Sequence, residues 1–220
     1  MRAPITNPTS IQVSGGPTTF KRGLTITGGA SSGSIVLQNV VSATSLILLE
    51  NLQLTGSSST LTISNSELHS LSLAHSAFTA GSSVVISATR VTTSGVKLNN
   101  VTVDPLATTT PAVFHFKSSS VVSTSSSYIG NAIYFLNSVF KNGAQFILED
   151  TRVHATSTNV DAIRLATTYN GTSVQRYVVH YYYSLFESGA IFNATNATVV
   201  SGAGGKTTGQ SFNAWTHSKS

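Results

Sequence analysis

Cysteine is absent from the 220 residues, so neither a disulfide framework nor thiolate chemistry is open to the chain. Charge is scarce as well: 12 Lys and Arg with 7 Asp and Glu make up 9% of the residues, against roughly 25% in an average globular protein. Helix surfaces are normally built from Glu, Lys, Gln and Arg, so this scarcity excludes a helical bundle. No apolar stretch approaches the length of a membrane span, and no membrane insertion is expected. The opening MRAPITNPTS lacks an apolar core and a cleavage pattern. It is not expected to be a signal peptide, and an exported form would be a processed chain or an excised part. Basic residues cluster no further than Lys21-Arg22, so the net charge of +5 predicts no nucleic-acid partner.

What fills the chain is hydroxyl: 35 serines and 30 threonines. Hydrophobic content is an ordinary 40%, which argues against disorder. Together these features predict an all-β chain with Ser/Thr-covered faces.

A repeat organises it. The segment TLTISNSEL reads apolar, any, apolar, any, Asn, any, any, apolar, at Leu61, Ile63, Asn65 and Leu68. The same register fits Ile47, Leu49, Asn51 and Leu54, then Val96, Leu98, Asn100 and Val103. Further copies put His75, Asn137, Asp150 and Asn196 at the Asn position. Copies start at residues 35, 47, 61, 71, 84, 96, 114, 133, 146, 163, 179 and 192. Alternate starts form two series, 35–61–84–114–146–179 and 47–71–96–133–163–192, which predict two bends per coil and about six to seven coils. Alternation within each copy predicts a strand with every second side chain turned inward.

The Asn of each copy falls where the chain must turn a tight corner, a conformation Asn tolerates. Two readings follow for Asn51, Asn65, Asn100, Asn137, Asp150 and Asn196. They form an inward ladder that satisfies buried corner backbone groups, or each marks an exposed turn.

This register resembles the right-handed parallel β-helix of pectate-lyase-like proteins, where Asn ladders occur at such corners. The Ser/Thr/Asn-rich, motif-poor coils look most like the dispersed gene family of trypanosomatid surface proteins. The resemblance implies an extracellular or cell-surface location and a solenoid over residues 35–200. Residues 1–34 are then an irregular segment with a first strand at Gly23–Thr27, and residues 201–220 a polar tail anchored by Trp215. Insertions are expected near 104–112, 122–131 and 166–176, where Ser, Thr and Gly cluster.

Catalysis needs converging groups, and the acids Glu50, Glu67, Asp104, Glu149, Asp150, Asp161 and Glu187 scatter over different registers. The Asp-Asp and Arg-x-Lys pairs of polygalacturonases are missing, so a non-enzyme without cofactor is expected. The six histidines show no metal spacing; His115 and His180 share an outward register, with Ile147 between them. The outward column of Lys97, Tyr134 and Arg164 carries more chemistry. An aromatic ring between cations at strand spacing suits an acidic glycan, although long side chains covering a solvated face read the same way. Glycosylation sequons occur at Asn100, Asn170, Asn193 and Asn196. Asn170 and Asn193 are expected outside, and Asn100 and Asn196 inside the ladder.

Three functions are weighed: a non-catalytic surface module, adhesive or stacking end to end on itself or on neighbouring modules; a carbohydrate-active enzyme or glycan-binding domain; and an ice-binding solenoid. The last wants Thr pairs such as Thr25/Thr27 and Thr60/Thr62 repeated on every coil, which they are not. The first is favoured, with residues 1–22 or 206–220 folding back as caps as the alternative to open-ended stacking.

Overall fold

A computed structural model describes residues 5–6, 11–28, 33–106, 109–125, 131–157, 162–166, 168–169, 172–173, 189–200 and 215–216. Among them the regular structure is all strand, with no helix. The reason is visible in Thr60–Ser64: Leu61 and Ile63 turn inward and are fully buried, while Thr60, Thr62 and Ser64 face out. β-Branched and hydroxyl residues suit that half-buried, pleated setting.

The chain cycles through three sheets around one apolar core. Sheet 1 holds Ile11–Val13, Ser34–Gln38, Thr60–Ser64, Ser83–Ser87, Val113–Lys117, Gln145–Glu149 and Ile191–Thr195 in parallel order, with Trp215–Thr216 antiparallel at the edge. From each of the seven parallel strands of sheet 1 the chain turns into the 12-stranded sheet 2, for example through Glu67–Ala74. In four of these passes it then enters sheet 3, built from Gln53–Thr55, Ala77–Thr79, Thr102–Asp104 and Val139–Phe140, before returning to sheet 1. Each of these passes therefore bends three times, not two. Strands of sheet 3 have only two or three residues and bury one side chain each (Leu54, Phe78, Val103 and Phe140), too short a signal for alternation to reveal.

The first series of repeats stacks as its spacing predicts, Ile35 on Leu61, Val84, Phe114 and Phe146. In the second, Ile47, Leu71, Val96, Ile133 and Ile163 are in register. Phe192 does not continue that second series. It pairs with Phe146 and belongs to the first, because the chain between them is longer than one regular step. Val179 lies outside the described residues. Stacking also takes in strands before Ser34: Ile11 pairs with Ile35, Thr18 with Val40 and Leu24 with Ile47. The third expected insertion contains a small antiparallel pair, Thr168–Tyr169 with Thr172–Ser173.

Apart from Phe78, aliphatic side chains fill the buried core of the early layers, and phenylalanines dominate the later ones. Phe114, Phe146 and Phe192 stack along the pile with ring centroids 5.6 and 5.3 Å apart, and Phe116, Phe135 and Phe140 surround Phe146. Each such fully buried side chain contributes about 1.5–3 kcal/mol of transfer free energy.

Candidate functional site

Ten corner residues, Asn39, Asn51, Asn65, His75, Ala88, Asn100, Ser118, Asn137, Asp150 and Asn196, have φ between 46° and 56°. This left-handed conformation is the reason Asn recurs there. It also reverses the inward–outward alternation. Leu61 and Ile63 face in, yet Asn65 faces out and Ser66 faces in. Asn51, Asn65, Asn100, Asp150 and Asn196 are thus exposed and Asn137 half-buried, so the inward Asn ladder is not what satisfies the interior. Outside, the stacked side chains still meet: Asn196 Nδ2 donates to Asp150 Oδ1 at 2.7 Å, and Asn100 Nδ2 lies 3.3 Å from His75 Nδ1.

At six of these corners the inward group is a hydroxyl one residue after the corner: Ser66, Ser76, Thr89, Ser119, Ser138 and Thr151, all buried. Ser119 Oγ accepts from the Thr89 N–H at 3.2 Å and donates to the Lys117 and Ile86 carbonyls. Ser66, Ser76 and Ser138 accept in the same way from the N–H groups of Val40, Leu52 and Val101. The Asn-containing register points to the corners; the small hydroxyl that follows six of the ten is the part of the signal which that register leaves out.

Sheet 2 gathers the charge. Its first column has the expected register, Ser72, Lys97, Tyr134 and Arg164 on successive strands. A second column, not anticipated from the sequence, runs Glu67, Arg90, Ser120, Arg152 and Thr198. These residues stand two places after a corner, on strands as short as Arg90–Val91, where no alternation marks them. Three successive layers therefore read Arg90 and Lys97, then Ser120 and Tyr134, then Arg152 and Arg164. With strands about 4.8 Å apart, the basic positions of the outer two layers lie about 10 Å apart along each column. Lys21 and Arg22 are exposed in the turn between two further sheet 2 strands, Thr18–Thr19 and Leu24–Thr27. Six of the eight Lys and Arg among the described residues thus belong to this sheet and its turns. The acids on its strands are Glu50, which accepts from the Thr27 hydroxyl at 2.8 Å, and Glu67, 3.8 Å from Arg90.

Among the described residues, sheet 1 carries one cluster of ionisable side chains, His115, Lys117 and Glu149. His115 Nε2 lies 3.0 Å from Glu149 Oε2 without the alignment of a hydrogen bond, and Lys117 Nζ lies 3.2 Å from Glu149 Oε1. The outward column through His115 continues to Ile147 and Asn193; His180 lies outside the described residues. Among the described residues no three His, Cys, Asp or Glu converge to hold a metal. At the sequons Asn100 and Asn196 are exposed on corners, not inside a ladder, while Asn193 stands half-buried in the outward column of sheet 1, on the side expected. Asn170 lies outside the described residues.

No protein-family model, curated protein or solved structure matches the chain.

Proposed function

We propose that the chain is a right-handed parallel β-helix of six to seven coils, acting as a non-catalytic adhesive surface module whose sheet 2 face holds acidic glycans. The solenoid reading is supported by the fixed order of sheets 1, 2 and 3 around one core, and by seven parallel strands in sheet 1. The right hand follows from the near-universal sense of parallel crossovers. The binding reading is carried by one observation, the paired basic columns in register on either side of Ser120 and Tyr134.

An extended acidic sugar chain brings carboxylate or sulfate groups at intervals of a few ångströms to about a nanometre. Arg offers two parallel donors to such a group, Lys a point charge, and the tyrosine ring an apolar face for a sugar. Exposed ion pairs contribute about 0.2–1 kcal/mol each, so four of them with one ring contact reach only a few kcal/mol. That corresponds to a Kd of about 1 mM for one short oligosaccharide. Useful adhesion then comes from many repeats engaging together on a polymer.

The test is retention of the intact chain on immobilised polygalacturonate and sulfated dextran, with neutral dextran and duplex DNA as comparisons. Retention on the acidic glycans that falls with salt is expected. Arg90→Ala with Arg152→Ala, or Lys97→Ala, should weaken it several-fold, while Lys117→Ala on sheet 1 leaves it unchanged. Equal retention of all variants, tighter retention on DNA, or release of sugar fragments would overturn the reading.

A further inference from the structure

The two ends of the described stack are alike in composition and differ in the cover of their sheet 1 edges; in sheet 2, Ile5–Thr6 pairs with the outer edge of Leu24–Thr27 at the first end. At one end Ile11–Val13 has Ser34–Gln38 as its neighbour, and among the described residues no strand pairs with its outer edge. At the other end the outer edge of Ile191–Thr195 is occupied by Trp215–Thr216, with Phe192 opposite Trp215 and Ile191 opposite Thr216. This pairing is antiparallel, whereas the seven strands before it in sheet 1 pair in parallel. An antiparallel strand breaks the pattern by which each layer templates the next.

We infer that Trp215–Thr216 is a displaceable plug on the sheet 1 edge, and that the occupant it keeps out is the first layer of a second copy of this chain.

Three observations fit that occupant. The inward column Ile11, Ile35, Leu61, Val84, Phe114, Phe146, Phe192 is apolar throughout, so the Ile11 of a second copy would continue it after Phe192. Apolar side chains at both ends are only partly covered, Ile11, Val13, Phe20 and Leu24 at one and Phe192, Ala197 and Val199 at the other. Residues 11–20 and 189–200 contain no Lys, Arg, Asp or Glu, the residues that natural sheet edges use against pairing. Docking would set Ile11–Val13 on Ile191–Thr195 and Thr18–Thr19 on Thr198–Val200, each parallel, as Ile191–Thr195 and Thr198–Val200 already sit on the layer before them. Such a contact is heterologous and does not close, so repetition gives a filament. A plug of two residues covers sheet 1 alone; no described strand pairs with the outer edge of Thr198–Val200.

Sedimentation velocity and electron microscopy across a concentration series test this on three proteins. They are the intact chain, the chain ending at Val200, and the full-length double variant Trp215→Pro with Thr216→Pro, which cannot pair at those positions. The intact chain should remain monomeric at concentrations at least tenfold above those at which the other two form unbranched filaments. Adding Ile11→Lys to either should abolish the filaments. Circular dichroism checks that the shortened chain keeps its β-spectrum; if it does not, the proline variant decides. Monomeric proline variants overturn the inference. So does assembly of the intact chain at the same concentration, or filaments that persist with Lys at position 11.

Discussion

The hydroxyl of Ser138 accepts the N–H of Val101 at 3.1 Å, across 37 residues of sequence. It also donates toward the Leu98 and Leu136 carbonyls, each 3.1 Å away. One small side chain thereby ties the inner backbone of two layers at a corner that excludes water.

Removing that hydroxyl should be expensive for its size. Ser138→Ala leaves the Val101 N–H buried without this partner, and Ser119→Ala does the same to Thr89. Each should cost about 1–3 kcal/mol in chemical denaturation. Val101 and Thr89 amides that exchange no faster in these variants would show that the hydroxyls are not what satisfies them.

At the corners themselves the effect should be one of backbone, not burial. Asn65→Leu puts a branched side chain into a left-handed conformation and should cost about 1–2 kcal/mol, although the position is exposed. Asn65→Gly should lie within about 1 kcal/mol of the parent. Ala88, which holds the same conformation without the compatible side chain, should gain stability of up to about 1 kcal/mol on Ala88→Asn. Equal melting temperatures for the Leu and Gly variants at position 65 would contradict this.

Two glycines separate close approach from conformation. Gly95 has φ +65, and a Cβ there would collide with the backbone carbonyl oxygens of Asn131 and Ala132 in the next layer. Gly143 has φ +79 with open space around it. Gly143→Ala should cost only the strain, about 1–2 kcal/mol, and Gly95→Ala distinctly more, since backbone must move. Thermal unfolding of the two variants side by side distinguishes them.

Core and face should also separate. Phe146 touches the rings of Phe114, Phe116, Phe135, Phe140 and Phe192, so Phe146→Ala should cost about 3–5 kcal/mol. Lys97→Ala should change stability by less than about 0.5 kcal/mol while weakening retention on acidic glycan. A large loss of stability from Lys97→Ala would make that side chain a structural part of sheet 2 instead.

Local chemistry determined much of this protein. Alternation at Leu61 and Ile63, or Val96 and Leu98, prescribes strands with one buried side because the pleat has a period of two. Recurrent Asn marks corners because few side chains accept a left-handed backbone. Scarce charge and abundant hydroxyls set the character of the outer faces. Three things waited for the tertiary arrangement. Asn65 faces water and Ser66 the core, because the corner conformation shifts the parity that alternation extrapolates. The brief third sheet, with Phe78 or Phe140 as its single inward residue, is too short to carry a period. The partners of Phe192, and the alignment of Arg90, Ser120 and Arg152 in one column, depend on how many residues intervene between layers. Stacking disregards that number, since hydrogen bonding between strands registers position in space and not distance along the chain.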